Sequence, residues 1–261
     1  MTMRVARLGG FGPRVAIIEG EVPSAREFAR IRRRSLPVQV LRMPPGHQGL
    51  EFLQPIADCI EDLRVNDYRC IDARFIEAMP RLRSVGLVID ARTAVDLTRP
   101  TKLSIFAGPW RHFESLVECR NLVELRVTSP DPEALAGMRS SLTRLDIFLS
   151  RKMVEIPIIA ASAGLRELSI YRTPVLDMSR IDFYEELRRL ELDTVKSVTG
   201  AEALLRLGRL DELTMEKCAD VGGWESLAGL TAARVTVIDR NPSRRSSDSR
   251  WRRRGTGPSL R

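Results

Sequence analysis

With 261 residues and 43% hydrophobic side chains the chain can bury a continuous core, and with aromatics at only 5% that core must be mainly aliphatic. Its net charge of +8 is unevenly placed: residues 1–43 carry +6 and residues 240–261 carry +7, which leaves the body at −5. No stretch approaches the ~18 apolar residues of a membrane span, and Met1–Ala16 lacks the apolar run of a signal peptide, so a soluble cytoplasmic protein is expected.

Taken from the start, Arg14–Val22 (RVAIIEGEV) predicts an edge strand. Ser24 and Glu27 have the spacing of a capping box, which opens a helix through about Arg34. Phe28 and Ile31 face inward on that helix, and Arg32, Arg33 and Arg34 sit at its negative end. From there a hexapeptide, apolar-x-x-apolar-x-apolar, recurs. Its copies are Val38/Leu41/Met43, Ile60/Leu63/Val65, Leu82/Val85/Leu87 and a weak Pro100/Leu103/Ile105. Then come Leu122/Leu125/Val127, Leu142/Leu145/Ile147, Leu165/Leu168/Ile170, Leu187/Leu190/Leu192 and Leu210/Leu213/Met215. The last copy is either Ala232/Val235/Val237 or Leu230/Ala233/Val235.

Apolar residues about six and three positions before each hexapeptide, such as Ile76 and Met79 or Leu204 and Leu207, have helical spacing. Each unit therefore predicts a short helix or helical turn followed by a strand of about four residues, leucines inward and the intervening residues to solvent. The third position reads Lys102, Glu124, Arg144, Glu167, Arg189, Glu212, with Arg234 continuing it in the first frame of the last copy. Opposite charges alternate at every step, as a parallel stack with strands about 4.8 Å apart favours.

On these hexapeptides the chain resembles the leucine-rich-repeat family, nearest its 22-residue class. The resemblance implies an α/β, right-handed solenoid with a curved parallel sheet on the concave side and short helices or helical turns on the convex side. Residues 1–35 are then a strand–helix cap, 36–239 a solenoid of about nine or ten units, and 240–261 a disordered arginine-rich tail. The departure is the ninth position, where the family places Asn and this chain has Tyr68, Asp90, Pro130, Ser150, Thr173, Val195 and Cys218.

Chemistry-bearing motifs are missing: no phosphate loop, GxSxG, HExxH or EF-hand occurs. Gly9-Gly10-Phe11-Gly12 misses phosphate-loop spacing, and His47 and His112 read as loop residues. The four cysteines (Cys59, Cys70, Cys119, Cys218) form no CxxC pair and read as buried free thiols. No catalytic residue, cofactor or metal is expected.

The concave face is the candidate site. Its seventh column runs Val88, Phe106, Thr128, Phe148, Tyr171, Asp193, Glu216, and its fifth Ser104, Arg126, Asp146, Ser169, Glu191, Thr214. Phe148 and Tyr171 become neighbours, with Arg126 on one side and Glu191, Asp193 and Glu216 on the other, the composition of a protein-binding hot spot. The expected function is therefore a non-catalytic scaffold binding another protein. The alternative is a nucleic-acid or anionic-membrane binder acting through Arg244, Arg245, Arg250, Trp251, Arg252, Arg253 and Arg254 of the tail.

Overall fold

The computed structural model describes residues 3–7, 13–230 and 234–238. In chain order the strands are β1 (Met3–Arg7), β2 (Arg14–Glu19), β3 (Val38–Arg42), β4 (Asp62–Asn66), β5 (Ser84–Val88), β6 (Ile105–Pro109), β7 (Glu124–Thr128) and β8 (Arg144–Phe148). They continue as β9 (Glu167–Tyr171), β10 (Val175–Asp177), β11 (Arg189–Asp193), β12 (Ser197–Thr199), β13 (Glu212–Glu216), β14 (Asp220–Val221) and β15 (Arg234–Ile238). Among the described residues, twelve strands join in one sheet in chain order, while β10, β12 and β14 form a second, shorter one. Every neighbour from β2 onward pairs in parallel, and β1 runs antiparallel to β2 as the outer strand.

Alternation along each strand explains the layering. In β7, Leu125 and Val127 point inward and are fully buried, while Glu124, Arg126 and Thr128 keep partial contact with solvent. Pairing aligns Leu63, Val85, Phe106, Leu125, Leu145, Leu168, Leu190 and Leu213 in one continuous inward row. Each leucine so buried contributes about 1.5–3 kcal/mol relative to exposure. Leu97, Leu116, Ile181 and Leu204 close the core from the far side, where the chain mostly forms 3-10 turns such as Arg74–Ala78 and Ala201–Arg206. This is a leucine-rich-repeat-like α/β solenoid.

The entry helix α1 (Ala25–Arg34) has its capping box: Ser24 N–H donates to Glu27 Oε2 at 2.8 Å, and Glu27 N–H donates to Ser24 Oγ at 3.4 Å. Phe28 and Ile31 are buried, and Arg32 reaches the next coil, donating to Asp58 Oδ2 (2.7 Å) and to the Pro55 carbonyl (2.6 Å).

Three readings of the sequence are corrected. Arg14–Glu19 is not an edge, because β1 covers it. The first hexapeptide is slipped by three residues: Val38 and Val40 align with Leu63 and Val65, so Leu41 lies outside the inward row. The Pro100 copy is slipped likewise, since Phe106 rather than Leu103 pairs with Leu125. Phe106 is thus fully buried core, not an open-face residue, and Ile105 takes the third position that Lys102 was expected to fill. A Cβ on Gly108 would lie 3.0 Å from Cζ of the Phe106 ring, so the ring occupies the volume that a sixth-position side chain fills elsewhere. For the last copy, pairing selects the first of the two frames, with Val235 beside Leu213.

Without an asparagine ladder, other side chains join successive coils. Ser115 Oγ donates to Val95 O (2.8 Å) and accepts from Leu97 N (2.9 Å). Ser162 Oγ does the same between Ser140 O (2.7 Å) and Leu142 N (2.9 Å), and Tyr184 Oη between Pro157 O (2.6 Å) and Ile159 N (3.1 Å). Burial pushes the Tyr184 phenol up to about 12, so it stays a donor. At the ninth position itself, Ser150 and Thr173 are buried with hydroxyls that find no partner. One residue earlier, Ser129, Leu149, Arg172, Thr194 and Lys217 share left-handed backbone, φ 53° to 58°. In the first four, the N–H donates forward to the next coil, to the carbonyls of Phe148, Tyr171, Asp193 and Glu216.

Ser162→Ala leaves Ser140 O and Leu142 N unsatisfied and should cost about 1–3 kcal/mol in urea unfolding, whereas Thr173→Val removes an orphaned hydroxyl and should cost nothing or stabilise. Equal losses in the two variants would contradict this division. Acid gives a second check. Hydrogen bonds from the Arg69 and Arg74 side chains hold the Asp67 and Asp72 carboxyls at about 2, below the 3.8 of the free group. Their stabilisation is complete above the unfolded value and lost as pH falls through about 2. Urea midpoints measured downward from pH 5 should therefore drop in that window, and less so in Asp67→Asn.

Candidate functional site

The open face of the sheet, opposite the core, carries three columns of side chains. In the third, Glu124, Arg144, Glu167, Arg189, Glu212 and Arg234 are direct neighbours in the pairing. Arg144 Nη1 lies 3.1 Å from Glu167, and Arg189 Nη2 lies 2.6 Å from Glu212. Such half-exposed pairs are worth about 0.2–1 kcal/mol each, yet along one column they favour a single register.

The fifth column holds a group that sequence reasoning recorded but did not single out. The Asp146 carboxylate is only 3% exposed although it faces away from the core, and Arg126 Nε (3.0 Å) and Arg144 Nε (3.2 Å) flank its Oδ2. Arg144 is aligned to hydrogen-bond it. Arg126 approaches off its N–H direction and acts as a charge contact, keeping 42% of its side chain exposed. The sequence signal was available: Arg126 and Asp146 are adjacent on neighbouring strands, and Arg144 is two residues from Asp146 on the same face. Ala107, not Ser104, precedes Arg126 in this column.

In the seventh column Phe148 and Tyr171 are paired neighbours. Their rings stack with centroids 4.5 Å apart and planes within 3°, and both stay half-buried on the open face. Burial raises the Tyr171 phenol above its ordinary value, with Glu191 adding to the rise as hydrogen-bond acceptor and neighbouring charge and Ser169 opposing it. Pro109, rather than Phe106, stands beside Thr128 in this column.

Beyond Tyr171 the column continues with Asp193 and Glu216. These carboxylates are not bare, because Lys217 Nζ stands 3.0 Å from Glu216 and 3.9 Å from Asp193. The lysine comes from the left-handed turn position, which the sequence columns did not include. Arg126, Phe148, Tyr171, Glu191, Asp193 and Glu216 thus lie on one face across four consecutive strands and the one after them. Arg244, Arg245, Arg250, Trp251, Arg252, Arg253 and Arg254 lie outside the described residues.

Elsewhere the thiols are electrostatically quiet. Burial pushes Cys70 up to about 12 and Cys119 up to about 11, and it raises Cys59 and Cys218 as well, so all four are protonated near neutral pH. Among the described residues no group of His, Cys, Asp and Glu could hold a metal ion, and no helix is long and apolar enough to cross a membrane.

No protein-family model matches the chain, and no curated protein is similar to it in sequence. Among solved structures it is similar to an internalin from Listeria monocytogenes, at 12% identity over 83% of this chain and 77% of that one, with a TM-score of 0.45. It is also similar to a leucine-rich-repeat protein from Leptospira interrogans, at 13% identity over 83% and 69% of the two chains, with a TM-score of 0.42.

Asp146→Asn should lower stability by about 1–3 kcal/mol, since the two guanidiniums then face one another without a carboxylate. Urea titration of the variant checks this, and an unchanged midpoint would show that the arginines do not hold Asp146 in place.

Proposed function

We propose that the chain is a non-catalytic recognition scaffold that binds another protein through the concave face of a right-handed solenoid, nearest the 22-residue leucine-rich-repeat class. The single observation that carries this reading is the stacked Phe148–Tyr171 pair, two large rings left half-open on the sheet face beside the carboxylates of Asp193 and Glu216. Rings fixed by stacking lose little rotamer entropy on binding, and they bring apolar area and polar edges together. Arg126 on one flank and Glu191, Asp193 and Glu216 on the other give the surface an electrostatic direction, which selects partner orientation and speeds encounter.

In this reading residues 36–239 do the binding and residues 1–35 serve as the cap at one end. The protein works in the cytoplasm. No reaction is assigned to this face.

Phe148→Ala/Tyr171→Ala should lose partner capture from native lysate by about 30-fold or more, the scale of a hot-spot residue, while circular dichroism and the urea midpoint show a folded chain. Capture at wild-type yield by the folded double variant would remove this face from consideration.

A further inference from the structure

The coil at the start of the solenoid carries an excess of positive charge, nine arginines against three acids in residues 1–43. On α1, Arg26, Arg30 and Arg33 fall within roughly 60° of one another at 3.6 residues per turn, on the side opposite the buried Phe28 and Ile31. They follow at about 6 Å and then about 4.5 Å along the helix axis, in a straight line. Arg33 and Arg34 suit the negative end of the helix. Arg26 does not: it is the second helical residue, at the positive end, where the dipole disfavours a cation. On the strands before the helix, Arg7 of β1 stands directly opposite Arg14 of β2, a cross-strand pair of like charges that repels. By alternation Arg14 lies on the side of β2 that holds Ala16 and Ile18, which share a core with Phe28 and Ile31 of α1. Ala16 N–H donates to Pro37 O at 2.9 Å, so the end of α1 returns to the level of the Arg7–Arg14 pair. Arg7, Arg14, Arg26, Arg30, Arg33 and Arg34 are all exposed, and none has a side-chain partner among the described residues. The acids of this segment do not offset them. Glu19 lies 3.9 Å from Arg4, Glu27 is held in the capping box, and Glu21 precedes the helix at the end away from Arg33.

We propose that this surface docks the end of the solenoid on the phosphate backbone of a nucleic-acid duplex, whatever its sequence. Arg26, Arg30 and Arg33 form the contact line, and Arg7, Arg14 and Arg34 widen it. Phosphate contacts need only charge and N–H donors, and a guanidinium grips a phosphate by two parallel hydrogen bonds. Other anionic partners ask for something this surface lacks. A bilayer takes up apolar side chains beside the cations, and a protein interface centres on aromatic or aliphatic anchors. Single strands carry open bases that stack on aromatic rings. In this coil Met3, Phe28, Ile31 and Leu36 are buried. Among its described residues the one exposed large apolar side chain is Val22, ahead of the helix at the end away from Arg33. A duplex hides its bases and offers phosphates in an unbroken line, which a straight row of arginines can follow. The inference is separate from the reading of the open face, which lies on the other side of the sheet.

The test measures fluorescence anisotropy of a labelled DNA duplex of mixed sequence, titrated with the full-length chain over a series of salt concentrations. Arg26→Gln/Arg30→Gln/Arg33→Gln should weaken binding about tenfold or more near 100 mM salt, and should flatten the slope of log K against log salt by about 2–3, because each lost phosphate contact removes ~0.9. Arg111→Gln/Arg151→Gln/Arg180→Gln removes the same charge from three other exposed arginines and should change that slope by less than about 1. Residues 240–261 are common to all these chains, so any binding of theirs cancels in the comparison. A second measurement places a photo-crosslinker at the exposed Ala29, beside the arginine line (Ala29→p-benzoylphenylalanine), and irradiation should join it to the duplex. If the triple variant of α1 does not fold, this cross-link decides alone. Unchanged affinity and slope in the folded α1 variant, an equal loss in the control variant, or no cross-link from position 29 would overturn the docking. So would single-stranded RNA, or vesicles of anionic phospholipid, that depend on the three arginines more strongly than the duplex does. Phe148→Ala/Tyr171→Ala should bind the duplex as the parent chain does, so loss of partner capture and loss of duplex binding are scored independently.

Discussion

No coil of this chain can bury its leucines or satisfy its backbone without the coils on either side. The five residues of a strand such as Glu167–Tyr171 pair on one side with β8 and on the other with β11, and the inward Leu168 and Ile170 are covered only because Leu145, Leu190 and their neighbours stand beside them. Cooperation of this kind runs along the stack. The outermost described strands show the difference: Leu213 and Met215 of β13 are buried, while Val235 and Val237 at the same positions of β15 are 39% and 44% exposed. At the other end the antiparallel β1 lies against β2, and Ala16 and Ile18 stay buried.

The far side meets the same need by less regular means. A ladder of asparagines would satisfy turn backbone identically in every coil. Here Ser115, Ser162 and Tyr184 each bridge a carbonyl and an N–H two residues apart in the preceding coil, and Cys119 donates its thiol to Leu97 O. Ser150 and Thr173 keep buried hydroxyls without partners. The open face is more ordered: Asp146 is clamped by Arg126 and Arg144, and the Arg189–Glu212 pair repeats the alternation further on.

Repetition made the fold legible. Eight or nine hexapeptides at near-constant spacing define a strand register, and that register alone put Phe148 beside Tyr171 and Glu212 beside Arg189 and Arg234. It failed where apolar residues offered two frames. Val38, Val40, Leu41 and Met43 satisfy the pattern in more than one way, and only pairing with Leu63 and Val65 selects Val38 and Val40. Near residue 106 the inward sixth position is Gly108, so a pattern that seeks an apolar side chain there slides to Ile105. Columns of outward residues also say nothing of depth. The burial of Asp146 under two arginines and the reach of Lys217 to Asp193 are three-dimensional facts that depend on rotamers.

Aligned positions on successive strands from Val38 to Val235 lie between 19 and 25 residues apart, yet the sheet pairing continues through every junction. All of the slack is taken up on the side away from the open face. Differences in coil length are thus confined there and leave unchanged the pitch at which outward residues follow one another from strand to strand. Such a molecule behaves like type set in a frame of constant line height: the characters differ from line to line while the spacing between the lines is kept.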